Sequence, residues 1–258
     1  MIYTCYVMIR DCRADKPEGW SYLISEYVPA VLKLLAHYAP GHSIERVLAA
    51  VCKPESSLFQ SLEPSPERWF VAELRQKLLA ELPSAVPEVA IDLETVASAL
   101  EPLTVLEKQV AWLGAMRYSA AETGTMLRMA PATAEKVRER ATELIRAKVD
   151  RWREDLLAAN GLALGRAAAA ADGKECLPVR IFLDILDGRI TWVERERVER
   201  HVTACWHCVD QFCRMVEVVH LMRGLQPLGV AEAEPYRKIL GLPAPRRPGW
   251  KRFFGSGC

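Results

Sequence analysis

Three residues of the types that bind metals occur at helical spacing in one short stretch: His201, Cys205 and Cys208. The four-residue step from His201 to Cys205 places both on one helical face, and Cys208 follows about one turn later. Imidazole nitrogen and thiolate sulfur are ligands that Zn²⁺ prefers, usually in a tetrahedral set of four. The sequence therefore predicts a structural zinc site that needs one more ligand from elsewhere in the chain.

Cys176 is the expected fourth ligand. It precedes a predicted helix that Gly188 ends, and Thr191 with Glu194 forms a capping box that opens the next helix. A hairpin of these two helices would return Cys176 to the other three ligands. Three further side chains remain open as alternatives for the fourth position: Cys213, His207 and His220.

The distribution of cysteines favours a metal or redox role over a disulfide framework. Four of the eight cysteines lie within residues 176–213, and the charged residues Arg10, Asp11 and Arg13 do not suit a secretory signal. Apolar runs fall short of the ~20 residues of a membrane span. We expect a cytoplasmic protein without a transmembrane segment. Cys213 offers a third sulfur for a disulfide once metal leaves, so it is a possible redox residue.

Helix-favouring residues dominate the chain, and period-two alternation is rare, so the sequence predicts an all-α fold. With 258 residues, two or three small domains are expected. The 34 basic and 33 acidic residues nearly balance, which excludes a globally basic nucleic-acid coat. Residues 103–153 are an exception, with 10 basic and 6 acidic side chains.

Composition divides the chain into six segments. They are a helical domain at 1–81 (helices at 19–38, 43–52 and 67–81, with Pro29 as a kink), an acidic linker at 82–102 with a short helix at 93–100, a basic helical domain at 103–153, an Ala- and Gly-rich linker or weakly specified helix at 154–175, a metal-binding helical domain at 176–224, and a Pro-rich basic and aromatic tail at 225–258. The end of that tail, 244–258, is expected to pack partly on the protein itself or to bind a partner.

Residues 103–148 begin with a helix that has one apolar face, and two further helices joined by a tight turn follow it. Ser119 and Glu122 form a capping box for the first of these two, and Pro131 suits the start of the second. The second helix carries cations, as in the helix-turn-helix motif that places such a helix in the DNA major groove. The DNA-binding residues expected from this pattern are Thr133, Lys136, Arg138 and Arg140. A helical bundle with a solvated charged face is the alternative, which the interspersed glutamates of this helix favour.

Tyr118-Ser-Ala-Ala-Glu-Thr-Gly-Thr-Met-Leu, followed by Ala132-Thr-Ala-Glu-Lys-Val-Arg-Glu-Arg-Ala, resembles region 4 of extracytoplasmic-function sigma factors. In that family the module reads the −35 promoter element. Arg128 stands where the family has a turn glycine, and Ala130 stands where it has a capping serine. The same resemblance implies that residues 1–81 correspond to region 2, which binds the polymerase clamp and melts the −10 element. Its acidic polymerase-binding helix would lie at 43–52 and keeps only one acid.

Phe182-Leu-Asp-Ile-Leu-Asp-Gly, followed by the spaced histidine and cysteines, resembles the zinc-containing anti-sigma fold. Members of that family bind between sigma regions 2 and 4. The two resemblances together imply a sigma factor that carries its own inhibitor or sensor. Its expected partners are promoter DNA, core RNA polymerase and an intramolecular contact between the sigma-like and anti-sigma-like parts, with no small-molecule substrate.

A second function class is a degenerate, non-initiating module that binds proteins or senses redox state through its zinc. The divergent region 2 favours this alternative. An enzyme is not expected, because a catalytic zinc with three protein ligands would need a suitably placed acid or base, and none stands out.

Overall fold

Every regular element in the described part of the chain is a helix, so the all-α prediction is confirmed. The computed structural model describes residues 3–60, 67–82, 94, 98, 100–148, 154–171 and 173–243. Its helices are α1 (Cys5–Arg13), α2 (Pro17–Tyr38), α3 (Ile44–Val51), α4 (Ser57–Gln60), α5 (Glu67–Glu81), α6 (Val105–Ala115), α7 (Ala120–Leu127), α8 (Pro131–Lys148), α9 (Glu154–Ala170), α10 (Val179–Leu186), α11 (Trp192–Ala204), α12 (Trp206–Met222) and α13 (Val230–Ile239). Most of the predicted linker at 82–102, with its short helix, and the tail at 244–258 lie outside these residues.

Local sequence signals set several helix ends. Ser119 caps α7 and Thr191 caps α11, each with the predicted glutamate reaching back to the capping backbone amide at 2.8 Å and 3.0 Å. A third capping box, Thr104 with Glu107, opens α6. Helix α2 continues through Pro29 as one element. These caps satisfy backbone amides that the first helical turn leaves without partners.

The turn between α7 and α8 has a left-handed residue where the family resemblance expects glycine. Arg128 adopts φ 58° and ψ 42°, a conformation that is uncommon for residues with a Cβ. Gly124 allows the close approach of this turn, because a Cβ there would lie 2.9 Å from the Met129 carbonyl oxygen. The connection is tight although Arg128 is not a glycine.

Helix α12 is at the centre of the packing. It contacts α2, α5, α6, α7, α9, α10 and α11. One apolar core runs through helices from all three predicted helical domains, with the large buried side chains Phe70, Trp112 and Phe182 among its members. The predicted helical domains at 1–81, 103–153 and 176–224 therefore pack on one another within the described part of the chain.

Two segments outside the three predicted helical domains form helices that pack on them. Residues 154–170 form helix α9, which contacts α5, α6 and α12 and buries Leu164 and Ala168. After the metal-binding segment, α13 folds back on α2 and α3. The amide of Leu228 donates to the Ser25 carbonyl oxygen at 2.9 Å. Composition alone cannot reveal these contacts, because small residues suit both a flexible linker and a closely packed helix.

Candidate metal centre

Four potential ligands converge from the α9–α10 connection and the α11–α12 corner. Cys176 lies in the turn before α10, and His201 lies in the last turn of α11. Cys205 is the single residue between α11 and α12, and Cys208 lies in the first turn of α12. The hairpin of α10 and α11 thus returns Cys176 to the other three, as the sequence predicted.

The spacing of the ligand atoms suits one tetrahedral metal ion. The Sγ atoms of the three cysteines and a ring nitrogen of His201 lie within 4.8 Å of one another. The Sγ atoms of Cys176 and Cys205 are 3.7 Å apart, and His201 Nε2 is 3.2 Å from Cys208 Sγ. Two sulfurs bound to one tetrahedral zinc at about 2.3 Å would be roughly 3.8 Å apart. The set can therefore hold one metal ion, and its donors fit zinc.

Backbone amides support two of the sulfurs. The amide of Gly173 donates to Cys176 Sγ at 3.3 Å, and the amide of Leu177 donates to Cys208 Sγ at 3.4 Å. Such hydrogen bonds orient metal-bound sulfur and partly neutralise its negative charge. The loop before α10 therefore contributes both a ligand and supporting donors.

The ligands differ in their exposure to solvent. Cys208 is buried, whereas Cys176, His201 and Cys205 are half-buried and line a groove of about 1030 Å³. Burial raises the pKa of the Cys208 and Cys176 thiols above the usual value in the metal-free protein. Both thiols then hold their protons at neutral pH, and a metal must displace them to bind.

The alternative fourth ligands lie outside the four-residue group. Cys213 is buried on α12, with its Sγ 3.9 Å from the Gln109 carbonyl oxygen. His207 Nδ1 is 3.1 Å from the Ala168 carbonyl oxygen, and His220 lies near the other end of α12. Cys176 is thus the residue that completes the group.

A buried lysine, missed by the sequence analysis, contacts the ligand loop from α6. Lys108 is 2 % exposed and donates to the carbonyl oxygen of Thr203, two residues before Cys205. Its ammonium lies 5.6 Å from the Trp206 ring centroid. Lys108 precedes the buried Trp112 by four residues and so lies on the same, apolar face of α6. A lysine on an apolar helical face is the sequence signal that could have indicated a buried cation. The contact ties α6 to the loop that carries the ligands.

A second buried polar cluster surrounds Glu217 on α12. Its Oε1 accepts hydrogen bonds from the hydroxyls of Tyr38 and Tyr118, each at 2.5 Å, and its other oxygen pairs with Arg75. Arg75 also donates to the Tyr38 hydroxyl at 3.0 Å. Burial is the main cause that raises the pKa of both tyrosines far above the usual value, and the Glu217 carboxylate raises it further. Both hydroxyls therefore stay hydrogen-bond donors at neutral pH. Glu217 thus bonds to residues of α2, α5 and the α6–α7 turn.

A neighbouring pair on α12 extends this polar interface. Asp210 accepts from Trp112 Nε1 at 3.1 Å and from Arg214 at 2.6 Å. Arg214 also lies 3.7 Å from Glu73 on α5. These charges are paired and hydrogen-bonded, as buried charges need to be.

The predicted DNA-binding residues lie on α8, which makes its main contacts with α6 and α7. Thr133, Lys136 and Arg140 are exposed, and Arg138 is half-buried. Arg138 pairs with Glu135 at 2.8 Å. Arg140 pairs with the capping residue Glu107 of α6 at 3.0 Å. Two of the three predicted cations are therefore partly neutralised within the protein.

No family model, curated protein sequence or solved structure matches the chain. Among the described helices, none combines the length and apolar character that crossing a membrane requires. The chemistry of the metal centre and the packing of α12 are therefore the observations from which a function is inferred.

Oxidation by peroxide is expected to join Cys176 to Cys205, the half-buried thiols 3.7 Å apart. Two thiolates and hydrogen peroxide give one disulfide and two hydroxide ions, and zinc would leave with the loss of its sulfur ligands. A chromogenic zinc chelator measures the release, and peptide mass spectrometry identifies the disulfide. The Cys213→Ala protein should respond like the parent, because Cys213 is buried outside the group. Retained zinc, or a disulfide to Cys213, would contradict this expectation.

Proposed function

We propose that this protein is a sigma-factor-like transcription regulator that its own zinc-bearing, anti-sigma-like segment holds in a closed arrangement. In this proposal α7 and α8 form a helix-turn-helix that binds promoter DNA, and α2 and α3 contact core RNA polymerase. Zinc is the resident metal, because three thiolates and one imidazole form a typical structural zinc set. The observation that carries the proposal is the position of α12 between the two sigma-like segments.

Helix α12 begins at the metal ligands and continues between the helices that the proposal assigns to regions 2 and 4. Along this helix, Glu217 bonds to Tyr38 and Arg75 from the first segment and to Tyr118 from the second. Arg75 and Glu217 are only 2 % and 1 % exposed. Separating the segments would leave these charges without partners, which is costly in a buried site. The contacts therefore favour the closed arrangement over an open one.

Helix α13 covers the surface that the resemblance assigns to polymerase. It packs on α2 and α3 through a small apolar cluster that includes Ile24, Val28, Leu48 and Ala233. Arg237 adds a hydrogen bond of 2.6 Å to the Ser21 hydroxyl. In the closed arrangement, a partner that uses this face of α2 and α3 must displace α13.

Polymerase binding tests the proposal directly. The zinc-loaded wild-type chain should co-purify weakly with core polymerase, and a Glu217→Gln chain should co-purify more strongly because its closed arrangement is weakened. A matched surface variant, Glu199→Gln on α11, should behave like the wild type. Equal failure of all three chains to bind polymerase would refute the proposed function.

DNA binding by the whole zinc-loaded chain is expected to depend steeply on salt and on Lys136. Lys136 is exposed on α8, and no ion pair of the described residues involves it, whereas Arg138 and Arg140 have acidic partners. Lys136→Ala should weaken binding to duplex DNA and lower the slope of log affinity against log salt by about 1. Lys238→Ala on α13 is the control and should leave the slope unchanged. An unaltered slope in the Lys136→Ala chain would contradict the assignment of α8 as the helix that contacts DNA.

The alternative function, a non-initiating zinc-dependent interaction or redox module, has one specific observation in its favour. The ion pairs of Arg138 and Arg140 reduce the positive potential of α8, and α3 keeps only Glu45 as an acid. Such a module would release zinc on oxidation and change its protein contacts, yet bind neither DNA nor polymerase. The polymerase and DNA experiments above separate the two functions.

A further inference from the structure

Helix α9 approaches α6 at a distance that only glycine permits. A Cβ on Gly161 would lie 2.0 Å from the carbonyl oxygen of Ala115 and 2.8 Å from its carbonyl carbon. One turn later, a Cβ on Gly165 would lie 3.0 Å from Met116 Cε. Gly161 therefore places the α9 backbone directly against the C-terminal end of α6, and Gly165 adds a close contact with the Met116 side chain.

Arg166, the next residue of α9, binds the C-terminal end of α5. Its guanidinium donates to the Leu79 carbonyl oxygen, with Nε at 3.0 Å, and to the Leu82 carbonyl oxygen at 2.7 Å. The last carbonyls of a helix have no partner within the helix, and a cation there is stabilised by the helix dipole. One short part of α9 thus holds the ends of α5 and α6 together.

The C-terminal end of α9 is held by the metal-binding segment. His207 in the first turn of α12 contacts the Ala168 carbonyl oxygen at 3.1 Å. A few residues later, the amide of Gly173 donates to the sulfur of the ligand Cys176. A metal ion on Cys176 would therefore tie the chain that leaves α9 to α11 and α12.

We propose that α9 holds the ends of α5 and α6 together and that its docking on these helices depends on metal binding at Cys176. With the metal bound, the end of α9 is anchored, and Gly161, Gly165 and Arg166 hold the ends of α5 and α6. When the metal leaves, Cys176 is released, α9 loosens, and the carbonyls at the end of α5 lose Arg166. The proposal rests on the metal of the proposed function but requires neither DNA nor polymerase, so it can fail or hold independently of the transcriptional role.

Hydrogen–deuterium exchange of the full chain, read by mass spectrometry, tests the coupling. Removing zinc with a chelator should speed amide exchange together in residues 161–171 and in residues 78–82, by roughly tenfold or more. The increase should be smaller in residues 23–35 of α2, which lie outside the main contacts of α9, whereas an equal increase there would indicate general destabilisation and overturn the coupling. Unchanged exchange in 161–171 would show that docking does not depend on the metal. Faster exchange there without any change in 78–82 would show that α9 does not transmit the loss to α5. Either result would overturn the proposal.

Gly161→Ala should reproduce both exchange changes while the chain still holds one zinc, because the added methyl group collides with the Ala115 carbonyl. The matched control is Gly114→Ala in α6, where the nearest atom to a new Cβ is Arg138 Cδ at 4.0 Å. That variant should exchange like the wild type. Equal behaviour of the two variants would contradict the close contact.

A second variant, Arg166→Met, tests the same proposal if the Gly161→Ala protein does not fold. It removes the donors to Leu79 and Leu82 while leaving both glycines in place. Exchange in residues 78–82 should rise with zinc bound, and removing zinc should then add little further change in that segment. A full additional increase on zinc removal would overturn the role of Arg166. Arg180→Met, whose side chain is 90 % exposed, is the control.

Discussion

Replacing Cys208 with serine is expected to abolish stoichiometric zinc binding and to destabilise the whole chain. Cys208 is the buried ligand, and its sulfur receives the Leu177 amide. Structural zinc contributes about 10–16 kcal/mol to the folding of small zinc-finger peptides. Here the ligand loops also pack on a large core, so a smaller loss is expected. Even about 4 kcal/mol would lower the melting temperature of a chain of this size by roughly 10 °C.

Cys213→Ala is the matched control for that experiment. It removes a buried cysteine from the same helix, but its sulfur lies outside the four-ligand group. This variant should retain one zinc per chain and lose only the small stability of a packed thiol. Elemental analysis and calorimetry measure the two quantities. A Cys208→Ser protein that still held one zinc per chain with unchanged affinity would rule out the assigned centre.

Zinc affinity should also fall as the pH falls. Burial raises the pKa of the Cys208 and Cys176 thiols in the metal-free protein, so both are protonated at neutral pH. Zinc binds the thiolates and therefore releases protons. Each proton released weakens the apparent affinity by about tenfold for each pH unit of acidification. Competition with a chelator of known affinity at several pH values measures this slope, and a flat profile would contradict it.

The features that were predictable from the sequence are the local ones. A capping box such as Ser119 with Glu122 involves residues three positions apart, and the periodicity of residues 67–81 marks α5 with its observed ends. The spacing of His201, Cys205 and Cys208 likewise depends on one helical corner. Each of these signals is contained in a few consecutive residues, so no knowledge of the tertiary structure is needed to recognise it.

The features that escaped prediction depend on which distant residues meet. From the sequence alone Gly161 indicates a flexible segment, whereas in the structure it packs directly against Ala115. Arg140 likewise suggests a cation that faces DNA, whereas in the structure it forms an ion pair with Glu107. Glu217 stands between two buried valines of α12. An acid within an apolar stretch signals a buried partner, but the sequence does not identify Arg75 as that partner.

Breaking the ion pair between Arg75 and Glu217 is expected to have the second large effect. Both side chains are almost fully buried, and Glu217 also accepts the hydroxyls of Tyr38 and Tyr118. Arg75→Met leaves a buried carboxylate without a cation, and Glu217→Gln leaves a buried guanidinium without an anion. Each single change should cost about 3–5 kcal/mol in the free energy of unfolding. Denaturant-induced unfolding of the zinc-loaded chains measures this cost.

The double variant, Arg75→Met with Glu217→Gln, separates the pairing energy from general damage to the core. It leaves neither charge buried, while the glutamine oxygen can still accept the two tyrosine hydroxyls, so its cost should be well below the sum of the single costs. The same cycle on the exposed pair Arg195 and Glu199, with side chains 63 % and 51 % exposed, should give a coupling below about 1 kcal/mol. Strictly additive costs at Arg75 and Glu217 would mean that this pair does not hold α5 to α12. The closed arrangement would then have to depend on apolar packing and on the other polar contacts of α12, such as that of Arg214 with Glu73.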